Sequence, residues 1–592
     1  MRIVFDSKKT EYKTPFGCLV PGQECTLHIR IPGTVGTSAV KLLLTAENGE
    51  HLRDFSFAFD RTDAAYDVWK CTLVLDEPGL YFYYFQITGH TGAFRLFKQG
   101  DDTNMEDGEC WQISCIPNDF STPDWAKGAL IYQIYPDRFY CVGNCDLTGK
   151  LTPYSLHENW EEEVDWRPDS KGEILNNDFF GGNFRGITEK LDYLAEMGVE
   201  ILYLNPISKA FSNHRYDTAD YLNPDPMLGT AEDFSALCDA AHKRNIRVVL
   251  DGVYSHTGSN SVYFDKEHIF GGGAYSDPDS PYRNWYHFKD YPDKYESWWD
   301  FDTLPTLNKN EPSLQNFICA VLSHWLALGA DGFRLDVVDE LPDHFVLLLK
   351  KHIRSVRPDA LLIGEVWEDA SNKVAYGLRR RYFVDSELDS VMNYPYRTAI
   401  LDLLWERDDG RQFRDKVMTI LENYPRQVSL CNMNMLGTHD TPRILTALVD
   451  DFDGSREELA NRKLTAEQLA IAKKRLEIAT VLQFALPGCP SIYYGDEAGV
   501  EGGKDPFNRR TYPWGKEDHT LLSHVRFLGQ LRRSNPALRL GDTEFFSAEG
   551  GRIGILRQYE NQVVKIYVNL SNAEWSLPDG QFIAPASWKM EV

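Results

Sequence analysis

From Gly128 to about residue 494 the chain alternates eight short apolar strands with amphipathic helical stretches, the pattern of parallel βα units. The strands are expected at 129–135, 201–206, 246–251, 332–337, 361–366, 391–395, 433–438 and 490–494. Eight is the number that closes a barrel. The helical stretches carry their own signals. Ile187, Leu191, Leu194 and Met197 recur at helical spacing, and Thr230-Ala-Glu-Asp233 is a capping box. After Pro312-Ser313, the residues Leu314, Phe317, Ile318, Val321, Leu322 and Trp325 form one apolar face, with Gly329 at its end.

On either side of this pattern the period changes from helical to two. Residues 1 to 120 hold alternating runs such as Cys25–Ile31, Val40–Leu44 and Leu80–Phe85, separated by Gly, Pro and Asp turns, which predicts a β-sandwich. The proline-broken segment Pro117–Trp125 is the natural boundary. From 538 to 592 strand-like alternation returns, as in Gln562–Asn569, and predicts a small C-terminal β domain. The expected fold is therefore α/β: a TIM barrel over 121–537, flanked by these two β domains. One connection is too long for a simple loop. About sixty residues, rich in Gly, Asp, Tyr and Trp, separate Asp251 from the helix at Ser313, and ordered loops of that length are usually functional. They are expected to form an inserted domain over about 252–312.

Composition narrows the partners. With 62 basic against 88 acidic residues the formal net charge is -26, a field that repels phosphate backbones and anionic lipids, so neither nucleic acid nor a membrane is expected as a partner. A neutral polar substrate fits better, and the 13% aromatic content supplies flat faces for sugar rings. The N-terminus has no basic segment followed by an apolar core, so the chain is expected to be cytoplasmic as it stands. Its eleven cysteines lack any C-x-x-C pair and read as reduced thiols, with no zinc site.

In a parallel barrel the reacting groups sit where strands end. Four strands carry ionisable residues there: Asp251 and His256 after the third, Arg334 and Asp336 at the fourth, Glu365 at the fifth, His439 and Asp440 at the seventh. One such residue is as easily a helix cap or an ion pair. Three carboxylates sharing a cavity repel one another and are costly unless chemistry or a cation uses them. Retaining glycoside cleavage needs two carboxyls about 5 Å apart, which adjacent strands supply. Asp336 is the expected nucleophile, because Arg334 lies two residues back on the same face and can hold it ionised. Glu365 is the expected acid/base, protonated at rest by burial and neighbouring charge, and Asp440 would grip sugar hydroxyls and stabilise the oxocarbenium charge.

The motifs DGVYSH at 251–256, GFRLDVVDE at 332–340, GEVW at 364–367 and LGTHD at 436–440 resemble those of the α-amylase family of glycoside hydrolases, over most of the chain from Gly128 on. The resemblance implies that His256 and His439 contact the sugar at the cleavage subsite, that Asp251 pairs with Arg334, and that Tyr216 in HRYDTADY stacks on the ring. TLPTLN at 303–308, Glu340 and the N-terminal sandwich look like the neopullulanase, cyclomaltodextrinase and maltogenic amylase group. The long loop would be that family's domain B. The N-terminal domain would be starch-binding-like, with Trp69, Tyr81, Tyr83 and Trp111 as candidate glucan contacts, and would help to form a homodimer.

The substrate so implied is an α-glucan: maltooligosaccharides, pullulan, cyclodextrins or starch, cut at α-1,4 bonds or at both α-1,4 and α-1,6 bonds. A glucosyl transferase or isomerase such as a trehalose synthase, and a non-catalytic glucan-binding homologue, are the competing readings. Two positions depart from the family pattern. Ser255 stands where many amylases carry Asn, and Phe-Tyr-Cys-Val-Gly-Asn144-Cys-Asp146 replaces the usual Asn-rich calcium loop. The chemistry requires no cofactor. For calcium, which needs six or more oxygens, the candidates are Asn144, Asp146, the Gly181 carbonyl and Asn183, with a pair of plain turns as the alternative.

Overall fold

The computed structural model describes residues 2–100 and 102–592. Its central sheet has eight parallel strands: β1 Ile131–Ile134, β2 Ile201–Leu204, β3 Arg247–Gly252, β4 Gly332–Leu335, β5 Leu361–Gly364, β6 Ser390–Val391, β7 Met433–Met435 and β8 Cys489–Tyr493. They lie in the order β6-β5-β4-β3-β2-β1-β8-β7. The two ends meet through a parallel bridge between Met392 and Met433, where the Asn393 N–H donates to the Met433 carbonyl at 2.8 Å. The sheet is thus a barrel, and it has no free edge to satisfy.

Alternation along each strand sorts side chains into two cores. Ile131, Ile201, Tyr203, Val249, Leu361, Ile363, Met433 and Met435 pack together inside the barrel. Leu202, Leu204, Val248, Leu250, Phe333, Leu335 and Leu362 face outward against the helices. Arg334, between Phe333 and Leu335, therefore projects inward, and the register sets it beside Asp251 on β3 and Ile363 on β5.

Among the helices, Ala231–His242 carries the Thr230/Asp233 capping box, and Pro312–Ala327 buries Leu314, Ile318, Val321, Leu322 and Trp325. The expected sixth strand needs correction. It spans only Ser390–Val391, and the helix Tyr394–Leu404 begins inside the stretch 391–395, because Pro395 in the first helical turn has no N–H to give to a strand ladder but fits a helix start.

Before the barrel come two antiparallel sheets. One joins Lys13–Thr14, Glu24–Pro32, Tyr66–Val74 and Ala58–Asp63; the other contains His51–Ser56, Ala39–Ala46, Gly79–Gly89, Gly92–Gln99, Asp102–Asn104 and Trp111–Cys115. They share one core, in which Trp69, Tyr83 and Trp111 are buried. Those three rings are therefore not available as glucan contacts at the surface. After the barrel, Asp542–Glu549, Arg552–Tyr559, Gln562–Asn569 and Ser587–Glu591 form a four-stranded antiparallel sheet. The segment between β3 and Pro312 holds a short hairpin, Phe288–Asp290 with Lys294–Tyr295, and an aromatic cluster of Tyr263, Phe264, Trp285 and Tyr286. No helix among the described residues is long and apolar enough to cross a membrane.

Candidate active site

Asp336 and Glu365 each stand one residue past the end of their strands, β4 and β5, and Asp251 is inside the last turn of β3. One guanidinium connects all three. Arg334 Nη1 donates to Asp251 Oδ1 and to Asp336 Oδ1, both at 2.8 Å, and its Nη2 lies 2.8 Å from Glu365 Oε2. Three carboxyls around one cation leave an excess of negative charge in a poorly hydrated place. Burial pushes both Asp251 and Asp336 above the usual carboxylate range, against the pull of Arg334.

Glu365 is fixed from three sides. Its Oε2 also accepts from the Val337 N–H at 2.8 Å, and its Oε1 accepts from Trp367 Nε1 at 3.0 Å. The first of these bonds depends on backbone strain. Val337 has φ 38 and ψ 55, a left-handed conformation that a β-branched residue adopts only when its surroundings impose it. This turn, directly after Asp336, aims the amide at the neighbouring carboxylate. Trp367 in turn stacks on Tyr394 with ring centroids 3.8 Å apart.

A second network lies across the mouth. Gln133 Nε2 donates to His439 Nδ1 at 2.9 Å, so His439 carries its proton on Nε2, which faces the Tyr216 hydroxyl and, at 3.1 Å, Asp440 Oδ2. The Tyr216 hydroxyl donates to Asp251 Oδ2 at 2.8 Å, and its ring lies parallel to His439 at 5.3 Å. Burial holds His439 well below its ordinary pKa, with Arg509 and Arg334 adding to the effect, so it is neutral. His256 is neutral for the same first reason, pushed down to about 3. Ser255 Oγ donates to its Nδ1 at 2.7 Å while Nε2–H donates to the Tyr216 carbonyl at 3.2 Å, so Ser255 supplies the bond that orients the ring. Asp440 is the most open of the three carboxylates, its side chain 30% exposed against 10% for Asp336 and 6% for Glu365. Desolvation first and Glu365 second push it up to about 7, while Arg509, 3.7 Å away, draws it down.

Residues 133–527 match the family model described as the α-amylase catalytic domain. The chain belongs to the α-amylase family. It is 34% identical over 96% of its length to an amylopullulanase of Thermoanaerobacter thermohydrosulfuricus, of which it spans 42%. It is 33% identical over 78% of its length to a cyclomaltodextrinase of Geobacillus thermopakistaniensis (strain MAS1), covering 71% of that protein. The chain thus spans less than half the length of the first of these relatives. Among solved structures it resembles the type III pullulan hydrolase from Thermococcus kodakarensis, with a TM-score of 0.69, 25% identity and 100% of both chains covered.

For this member of the α-amylase family, several residues beside the carboxylates went unread in the sequence. Glu340 Oε1 accepts from the Tyr376 hydroxyl and, at 3.4 Å, from Trp299 Nε1. Trp299 and Tyr376 are 72% and 69% exposed, far more than rings of that size usually are, and Trp299 stacks on Trp298 at 5.1 Å. The signal was the run Ser297-Trp-Trp-Asp-Phe301 in the long loop, which has no helical or strand period to explain its apolar content. Arg509 was missed because it follows β8 without a motif.

Of the candidate calcium residues, Asn183 and Asp146 are engaged in local hydrogen bonds. The Asn183 carboxamide caps the helix Phe184–Glu189, its Oδ1 accepting from the Gly186 N–H and its Nδ2 donating to the Val142 carbonyl. Asp146 Oδ1 accepts from the Thr148 amide and hydroxyl. Among the described residues no group of three or more His, Cys, Asp and Glu side chains is arranged to hold a metal ion.

Proposed function

We propose that the chain is a retaining α-glucan hydrolase in which Asp336 is the nucleophile and Glu365 the acid/base. The observation that carries this reading is the Arg334 fork: two carboxyls gripped by one guanidinium favour the close spacing, about 5 Å, of retaining enzymes over the wider spacing that leaves room for a water. Asp336 attacks the anomeric carbon, the glucosidic bond breaks, and the leaving oxygen takes a proton from Glu365 acting as the general acid. Water then attacks the glycosyl-enzyme and returns its proton to Glu365. Asp440, the neutral His439 and His256 bind the hydroxyls of the sugar in the cleavage subsite, and Tyr216 offers its ring face. Asp251 and Arg334 position the pair.

The relatives' names support pullulan, cyclodextrin and maltooligosaccharide as substrates, and product profiling on these three distinguishes α-1,4 from α-1,6 cleavage. The Asp336→Asn variant is expected to lose on the order of 10⁴-fold in kcat, as removal of a nucleophile does. Parent-like turnover of every substrate by that variant would refute the assignment. A second reading, transfer to an acceptor sugar in place of water, is favoured by the exposed Trp299 and Tyr376 beside Glu340. Longer or rearranged products from maltotriose would mark it.

A further inference from the structure

Lys309 stands where the inserted segment returns to the barrel, three residues ahead of the helix Pro312–Ala327, and its side chain is buried. Its Nζ donates to the Ser255 carbonyl at 3.2 Å, and among the described residues it forms no ion pair. A charged amine held in a dry place by one neutral acceptor is costly. Burial pushes it down to about 8, with Glu340 and Glu296 pulling the other way, so it is still charged at neutral pH. Nothing in the proposed chemistry uses it.

Its position gives the charge a task. Residues 305–307 run antiparallel to 255–257: Leu307 N–H donates to the Ser255 carbonyl at 3.0 Å, Thr257 N–H donates to the Pro305 carbonyl at 3.1 Å, and His256 is bridged to Thr306. The Ser255 carbonyl thus takes two donors from the returning segment, one from its backbone and one from Lys309. Lys309 is itself anchored, its carbonyl accepting from Gln315 Nε2 on the helix at 2.8 Å. Ser255 then passes the constraint on, since its hydroxyl donates to His256 Nδ1 at 2.7 Å. We propose that Lys309 is a positioning residue for the cleavage subsite: its ammonium fixes the Ser255 peptide and, through the Ser255 hydroxyl, the ring of His256. A bond from a charged donor is roughly twice as strong as a neutral one, which suits a group that must hold a neighbour still. The proposal rests on the reading of His256 as a contact to the sugar.

Lys309→Met in the full chain removes the charge, nearly keeps the volume and leaves the Ser255 carbonyl its bond from Leu307, so it should melt within about 2 °C of the parent. On maltotriose its kcat should fall about tenfold with KM within about twofold, because a misaligned contact is felt most in the transition state. A double-mutant cycle with His256→Ala tells positioning from mere structure. His256→Ala alone should lower kcat/KM by about 100-fold, and in that background Lys309→Met should cost less than about twofold. If Lys309→Met is too unstable to assay, Lys309→Gln, which keeps an N–H for the carbonyl without the charge, goes through the same cycle and is held to the same non-additivity. Losses of equal factor in both backgrounds, or parent-like kcat in the folded Lys309 variant, would overturn the proposal and leave the His256 reading standing. Parent-like kinetics of His256→Ala would overturn that reading, and the proposal with it.

Discussion

At the residue scale, Arg334 holds the site together. Among the described residues it is the one cation in contact with Asp251, Asp336 and Glu365, and a lysine there would offer a single point charge in place of a fork. Arg334→Met should leave three carboxyls crowded without a partner and cost about 3–5 kcal/mol in unfolding free energy, the usual penalty for breaking a buried pair from one side. Denaturant titration measures this, and an unchanged midpoint would contradict it. Asp440 gives a prediction of the opposite sign. Its carboxyl is pushed up to about 7 in the folded protein, so the folded state binds its proton more tightly than the unfolded state does. The stability it contributes is full below its unfolded value near 4 and is lost as pH rises through 7. Asp440→Asn should therefore raise Tm over the parent at pH 8, with the gain shrinking towards pH 4, while activity falls at every pH. A gain in Tm that is the same at both pH values would sink the claim. Motif spacing made Asp336, Glu365 and Asp440 legible as a set. The family resemblance implied the Asp251 partner of Arg334, but nothing in the sequence revealed that Arg334 also reaches Glu365, because strand register, not sequence distance, brings the end of β5 to it.

At the scale of elements, the strands were readable from apolar runs, and their ends less so. The sixth is the clearest case: Ser390-Val-Met-Asn-Tyr-Pro reads as a continued strand until one asks what Pro395 does with its missing N–H. The turn after β4 is the opposite case, since nothing in Leu335-Asp-Val337 announces a left-handed valine. In the long loop, Trp299 and Asp300 both take positive φ, 50° and 63°, which lifts the Trp299 ring out of the local apolar cluster and over to Glu340. A residue held in that conformation costs about 1–3 kcal/mol and tends to mark a binding surface. Trp299→Ala should then raise KM for maltooligosaccharides by about tenfold, the loss of one sugar-stacking ring, and leave Tm within about 1 °C of the parent or above it. A lower Tm with unchanged KM would make the ring structural. The long connection between β1 and the helix at Phe184 was passed over, because its Trp160 and Trp166 sit among charges with no period; Trp160 packs on Phe180 and Trp166 on Phe507.

At the scale of the molecule, the N-terminal sheets are keyed to the barrel by a buried pair that neither segment explains alone. Lys13 Nζ donates to Glu422 Oε1 at 3.0 Å and to the Gly17 carbonyl at 3.1 Å, and Ser7 Oγ donates to Glu422 Oε2 at 3.0 Å. Burial by itself would lift the Glu422 carboxyl, but Lys13, its hydrogen bond and the charges of Lys98 and Lys8 together leave the group below its usual range. The stability this gives is present above the unfolded value near 4.5 and is lost as pH falls. Glu422→Gln keeps the shape, strands the Lys13 ammonium, and should cost about 3–5 kcal/mol of docking, seen as a separate early unfolding step or faster proteolysis between the sheets and the barrel. A single transition coincident with the parent's would refute it. The same interface reaches the site, since Gln112 bonds Ser371 and Asn372, and Glu47 pairs with Arg381, on either side of a short hairpin, Val374–Ala375 with Leu378–Arg379, whose turn carries Tyr376.

The sequence by itself determined the eight βα units, the two β domains around them, and which strand ends carry ionisable groups. These follow from periodicity and from polar residues interrupting apolar runs, both local properties. Only the tertiary structure decided that one guanidinium serves three carboxyls, that Tyr216, His439 and Asp251 share one hydrogen-bond chain, and that Trp299, Glu340 and Tyr376 meet at the mouth. Those contacts join residues dozens to hundreds of positions apart. Closure of the barrel and the register of its strands fix them, and no local pattern encodes either.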